Sequence, residues 1–433
     1  MMQSTQKNKM KLYFIVCLSL ILVNDIPGQG NGFDENGIGR ETVIDEQLKT
    51  IQFYREGWIN SYPILLMNES VPLILEFDDI TSDVNTYFYM VYHCDADWRT
   101  SELTEQEYMD GYFENRIEEM ESSFNTYTSY NHFRLEIPNK DIRLTRSGNY
   151  LLVVYRDNNP DDIVFTRRFM ISEAKVSIEA RANRPVLSVY RESGHEIDVK
   201  IHHPGYRIDD PYRETILSIY QNGIWDYEIS GLQPLFVNPD ELVYDYQKEN
   251  VFLAGNEFRM FNTRSTQVRE YHVMDIEFID YFHFQLKHDE VNPAHLYFDR
   301  DDLNGKFFIE AANVSDPSTE ADYGFVHFTL DMPFPLADGD VYVAGATSNW
   351  QFTDMNRMSY DNEKRAYTAT MFLKQGIHNY RYVYLPDNSQ LVDISEIEGS
   401  HYQTKNEYLL LFYHRGQSDR FDRLVGHQVI HSN

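Results

Sequence analysis

The sequence predicts an all-β protein built as three consecutive β-sandwich domains, immunoglobulin-like or early-set in type. The first is expected to carry a loop-rich or short-helical insertion. Three observations support this. Aromatic residues make up 15% of the 433-residue chain, with 32 Tyr and 27 Phe, and such side chains suit a pleated, half-buried surface. Apolar and polar residues alternate with a period of two in many short runs, which places one face of each run on a core. Clusters of Asn, Asp, Gly and Pro separate the runs and supply turn dihedrals.

Residues 1–30 read as a secretory signal peptide. Lys7, Lys9 and Lys11 precede an apolar run from Leu12 to Val23, and Gly28 and Gly30 follow, which is the three-part layout of such a leader. The run falls short of the roughly 20 apolar residues a spanning helix needs. Cys17 lies inside the run rather than after it, which speaks against a lipid anchor. Cleavage after Gly30 would leave Cys94 as the one thiol, so hydrophobic cores rather than disulfides are expected to hold the mature chain.

Residues 31–173 are expected to form the N-terminal sandwich, with strands at 73–77, 86–92, 133–137, 150–156 and 164–171. Ser101-Glu102-Leu103-Thr104-Glu105 starts like a helix cap and, with residues 112–120, forms the insertion. Residues 174–298 form the middle sandwich, with strands at 175–180, 196–202, 215–221 and 270–278, and Gln221-Asn222-Gly223 reads as an Asn-Gly hairpin turn. An acidic linker spans 299–321. Residues 322–433 form the C-terminal early-set-like sandwich, with strands at 323–330, 340–344, 366–373, 379–385 and 407–414. No period of about 20 to 50 residues repeats, which argues against a solenoid or propeller.

Acids number 68 against 38 Lys and Arg, a net charge of −30, which makes nucleic acid and anionic lipid poor partners. The chain contains no Gly-x-Ser-x-Gly elbow, phosphate-binding glycine loop or His-Glu-x-x-His pair. The run His93-Cys94-Asp95-Ala96-Asp97-Trp98 invites a thiol-nucleophile reading. On a strand, however, His93 and Cys94 point to opposite faces, and Asp95 and Asp97 would raise a thiol pKa rather than lower it. Cys94 is therefore expected to be buried and His93 to be a hydrogen-bonded structural residue. Neither Asp95-Ala96-Asp97-Trp98-Arg99 nor Asp299-Arg300-Asp301-Asp302-Leu303-Asn304-Gly305 completes a calcium loop, since the first fails at its third ligand and the second has its glycine misplaced. No catalytic, cofactor or metal residue is expected. Arg167 and Arg168 are expected to pair with Asp78 and Asp79 unless they meet a partner.

The third unit carries Val341-Tyr342-Val343-Ala344-Gly345, then Asn349-Trp350, then Tyr380-Arg381-Tyr382. It resembles the early-set sandwiches of glycogen-binding modules, in which exposed tryptophans stack on sugar. Packing is the expected role here, because the same positions also fill the core of such sandwiches.

A wider resemblance runs in order along the chain. Its strings include His93-Cys94-Asp95-Ala96-Asp97-Trp98, Ser123-Phe124-Asn125-Thr126, Thr166-Arg167-Arg168-Phe169 and Gly255-Asn256-Glu257-Phe258-Arg259. Further strings lie at 51–57, 61–63, 75–79, 147–150, 221–223, 373–376, 398–401, 404–408 and 422–426. This set resembles the type IX secretion system plug protein family of Bacteroidota. The resemblance implies a soluble periplasmic subunit, and the residues agree with an export signal, no lipid anchor and no catalytic constellation, so a non-enzymatic role without a cofactor is expected. Such a subunit would associate with the giant outer-membrane β-barrel translocon of that system and close its periplasmic opening when no substrate passes. The family-motif residues it offers for an interface are His93, Cys94, Asp95, Asp97, Trp98, Phe124, Asn125, Arg167, Arg168, Asn256, Glu257, Phe258 and Arg259, with internal bracing as their other reading. The alternative function is a carbohydrate-binding or polysaccharide-utilisation accessory protein that uses the C-terminal domain.

Overall fold

The computed structural model describes residues 32–432 except 82, 292–295, 298, 390 and 391. The expected signal peptide, with Cys17, lies outside the described residues. Strands dominate, in largely antiparallel sheets. Among the described residues no helix is long and apolar enough to cross a membrane.

In the first unit Tyr87–Cys94 pairs with Gly148–Arg156, which pairs in turn with Ile163–Ser172. The facing sheet runs Leu48–Arg55, Leu73–Asp79, Asn131–Ile137, Glu119–Ser122. The alternating apolar residues of both sheets meet between them. Phe77 stacks on Phe133 at 5.1 Å and meets Tyr87 edge-on at 5.2 Å, and all three are buried. Each such ring contributes about 1.5–3 kcal/mol through burial. The insertion opens with the four-residue helix Glu105–Tyr108, whose Thr104 and Glu107 form a capping box. It continues as short strands, Met109–Gly111 against Ile142–Leu144 and Asn115–Arg116 on the edge of Tyr87–Cys94.

Two pairings depart from the sequence expectation. Glu407–His414, expected in the third unit, pairs with Thr215–Gln221 of the middle one, Thr215 opposite His414 and Gln221 opposite Tyr408. Period-two patterning tells which side chains share a face but not which strand lies alongside. This strand is also covered on both faces: Tyr408, Leu410 and Phe412 fill the middle core, while Leu409, Leu411 and Tyr413 pack against the first unit beside Cys94 and Leu151. The second departure is Val273–Phe278, expected in the middle unit. It pairs with Phe282–Leu286, which joins Tyr323–Asp331 of the third. The stretch expected to be a linker supplies a strand, Phe307–Ile309, to the long Gly376–Pro386 of the same unit.

The first and third units share a buried polar joint. Asp78 accepts hydrogen bonds from Lys374 Nζ at 2.6 Å and Tyr323 OH at 2.6 Å, and lies 2.8 Å from His132 Nδ1. Burial alone would raise the Asp78 pKa, but Lys374 and His132 outweigh it and hold the carboxyl below its ordinary range. Arg167 and Arg168 therefore do not pair with Asp78 and Asp79 as expected. Their strand lies in the facing sheet, and Asp79 is taken by Tyr87 OH at 2.8 Å and Asn85 at 3.0 Å. Burial opposes charge on His132, yet hydrogen bonds to Asp78 and Glu76 prevail and lift its pKa to about 9. A folded-state pKa above the unfolded value of about 6.5 adds stability that is fully present below pH 6.5 and lost as pH rises through 9. In urea titrations at pH 6 and pH 9.5, wild type is expected to lose more stability over that interval than His132→Gln. Equal losses would contradict the assignment.

Candidate functional site

The strand carrying His93 and Cys94 ends in a turn closed by Trp98 N to Asp95 O at 2.9 Å and Asp95 N to Arg99 O at 2.8 Å, with Trp98 at φ +65°. The pleat sends its last two side chains apart. His93 is buried, donating from Nε2 to Ser147 O at 3.0 Å and accepting at Nδ1 from Ser101 Oγ at 2.8 Å. Burial pulls its pKa down to about 4, so it is neutral. Cys94 lies in the core between the first and middle units, where burial pushes its thiol pKa far above the ordinary range. The pair has neither the contact nor the ionisation that thiol catalysis needs.

The rest of the turn is a joint. Asp95 Oδ1 accepts from Asp422 N at 3.0 Å and Arg415 at 2.7 Å, and Ala96 N donates to Asp422 Oδ2 at 2.9 Å. Trp98 is buried against Tyr220 and Trp225, with the Arg168 guanidinium 4.3 Å over its ring. Asp97 stands on the surface beside Arg99. Arg168 also donates from Nε to Gly39 O at 2.9 Å, while Arg167 reaches Asn349 Oδ1 of the third unit at 2.5 Å.

The string Gly255-Asn256-Glu257-Phe258-Arg259 is likewise turned inward. Asn256 Nδ2 donates to Glu398 O at 2.9 Å. Glu257 accepts from Lys405 N at 3.0 Å and Tyr297 OH at 2.7 Å, and burial lifts its pKa to about 6. Phe258 N donates to the Asp302 carboxylate, and the Arg381 guanidinium lies 3.5 Å over its ring. Arg259 pairs with Asp289 at 2.7 Å and Glu398 at 2.9 Å. Among the described residues no group of three or more His, Cys, Asp or Glu side chains converges as a metal site.

The aromatic residues that resembled a sugar platform pack inward as well. Tyr380 and Tyr382 are fully buried and donate to Asp289 Oδ2 at 2.6 and 2.8 Å. The half-buried Trp350 lies so close to Gly305, at φ +81°, that a Cβ there would come within 2.6 Å of the indole.

Phe124 and Asn125 differ from all of these. Their loop is clamped to the third unit: the Asp322 carboxylate accepts from Tyr127 N at 2.8 Å and Thr128 N at 3.0 Å, Phe124 N donates to Thr319 O at 3.0 Å, and Tyr130 OH donates to Ala321 O at 2.8 Å. Asn125 takes a left-handed conformation, φ +58°. From this fixed base Phe124 and Tyr127 remain 71% and 62% exposed. The Tyr127 ring lies 4.5 Å from Phe278 and 5.4 Å from Phe282, and Ile279 and Tyr281 are exposed on the same hairpin tip. The result is a rigid apolar ridge across two units, of the kind that marks interaction sites. Sequence reasoning named Phe124 and Asn125 but missed the hairpin. The available signal was Phe278-Ile279-Asp280-Tyr281-Phe282, where a turn carries four apolar residues in place of turn formers. Glu121 and Asp280, in the two segments, have no ion-pair partner among the described residues.

Residues 48–173 match the family described as type 9 secretion system plug protein 1st domain. No curated protein matches the chain. A crystal structure of a hypothetical protein from Parabacteroides merdae ATCC 43184 is 34% identical, with a TM-score of 0.87, over 90% of this chain and 99% of that one. The Pseudomonas fluorescens alkylpurine DNA glycosylase AlkC bound to DNA matches over 29% of this chain and 30% of that one at 9% identity. Its TM-score of 0.17 is too low to bear on fold or function.

Proposed function

Because the chain belongs to the type IX secretion system plug protein family, we propose that it is a periplasmic subunit which docks on the outer-membrane β-barrel translocon of that system. It closes the barrel's periplasmic opening while no substrate passes. The family carries a plug role in secretion and a location near the outer membrane. The observation that supports docking by this chain is the ridge of Phe124, Tyr127, Phe278 and Ile279, since aromatic anchors held rigid before binding dominate interface energetics. A plug must also leave, and acidic flanks such as Glu121 and Asp280 suit reversible, charge-steered contact with a basic rim. The carbohydrate-binding alternative gains nothing from the inward-packed Tyr380, Tyr382 and Trp350.

The test is affinity of the tagged protein for the solubilised barrel. Wild type is expected to retain it, and Phe124→Asp to weaken it by about 30-fold or more, the scale of a lost hot spot of roughly 2 kcal/mol. The folded state should survive, because Phe124 is largely exposed. Undiminished affinity of Phe124→Asp would reject the ridge. Failure of wild type to bind the barrel, with retention on an α-glucan column, would reject the plug reading itself.

A further inference from the structure

A cleft of about 400 Å³ opens between the first and third units, within the size range of small-molecule sites. Ile44 and Leu48 wall it on one side and Phe307, Phe352 and Met371 on the other. Lys49 lines it too, and its position has a backbone cause. The strand Leu48–Arg55 slips register against Leu73–Asp79 between Lys49 and Gln52, and Thr50 sits at φ +53°, a conformation that is an outlier for a β-branched residue. Thr50 Oγ1 and Tyr323 OH, 2.6 Å apart, fix this bulge. Bulges recur where a strand must re-aim a side chain, and strained residues cluster at ligand sites.

The Lys49 side chain is half-buried yet has no hydrogen-bond or ion-pair partner among the described residues. Burial pulls its pKa below the ordinary lysine range, while Glu46, which also lines the cleft, favours its charge. A partly desolvated cation beside an apolar wall, offset only by a carboxylate that makes no ion pair with it, gains from an anion that pairs with it directly. A second polar group in the lining lacks a partner but is buried. His378 is 2% exposed, its ring sandwiched between Phe261 at 5.0 Å and Phe307 at 5.6 Å. Its Nε2 donates to Lys374 O at 2.9 Å, which makes Nδ1 an acceptor, and Nδ1 has no partner.

We propose that this cleft binds an amphipathic carboxylate, an apolar body carrying one carboxylate head, with Lys49 as the charge partner. The apolar body lies along Leu48, Phe307 and Met371, beside the buried ring of His378. A free fatty acid and the C-terminal carboxylate of an apolar peptide share this chemistry.

Calorimetric titration of the purified protein with dodecanoate, dodecanol, and an apolar peptide bearing a free or an amidated C-terminus tests the proposal. Dodecanoate or the free-terminus peptide is expected to bind, and whichever binds identifies the source. The uncharged counterpart is expected to bind at least about tenfold more weakly, the scale of a lost hydrogen bond to a charged group. Lys49→Met should weaken binding by the same factor, Lys49→Arg should restore it, and the urea midpoint of each variant should match wild type. No binding by either carboxylate, equal binding of charged and uncharged forms, or an unchanged affinity in Lys49→Met would overturn the proposal.

Discussion

Replacing Lys374 with alanine is expected to destabilise the protein by about 3 kcal/mol, the lower end of the range for breaking a buried ion pair. Lys374 and Asp78 side chains are each 1% exposed and meet at 2.6 Å. Lys374 Nζ also donates to Ser318 O at 2.6 Å and lies 4.2 Å over the Tyr130 ring. Deleting the amine leaves the Asp78 carboxylate buried with His132 and Tyr323 alone, and leaves a cavity where the aliphatic stem lay. The charge on His132 keeps the loss from being larger. Removing both charges, as in Lys374→Met with Asp78→Asn, should lose less than Lys374→Ala, because no uncompensated carboxylate remains. Urea denaturation at pH 7 measures both. A loss under about 1 kcal/mol for Lys374→Ala would mean that the joint between the first and third units does not depend on this pair.

Trp98→Ala is expected to lose about 3–5 kcal/mol, the range for deleting a large buried aromatic. The indole is 2% exposed and fills the seam between the first and middle units, where Arg168 stacks on it and Tyr220 and Trp225 flank it. Deleting it also strips Arg168 of its cation–π partner. Backbone strain offers an internal check. Trp98 sits at φ +65°, where glycine carries no Cβ penalty, so Trp98→Gly should be no less stable than Trp98→Ala despite having the smaller side chain. If glycine proves clearly worse, the turn rather than the indole governs the seam.

Much of the fold was legible because period-two alternation is a local signal. Tyr87–Cys94, Gly148–Arg156 and Tyr323–Asp331 all lie where alternation placed them. Strand partnership was not legible, since it depends on which faces meet after collapse. Glu407–His414 has apolar residues on both faces, a sign of double burial that a one-sided reading misses, and it joins the middle unit while packing on the first. The site was legible in part. Alternation separated His93 from Cys94 and, with the neighbouring Asp95 and Asp97, pointed to a buried rather than a catalytic thiol. The strings at Asn256 to Arg259 and Arg167-Arg168 could not be told from interface motifs, because a charged residue that braces two units reads the same as one that meets a partner. Asp322, which clamps the Phe124 loop from nearly 200 positions away, left no local trace.

Conductance of the reconstituted outer-membrane barrel in a planar bilayer, with and without this protein on the periplasmic side, tests plug function most directly. Wild type is expected to silence the open barrel in a saturable manner, and Phe124→Asp to require about 30-fold more protein to do so, matching its loss of affinity. A barrel that binds the protein yet conducts unchanged would contradict closure as its function.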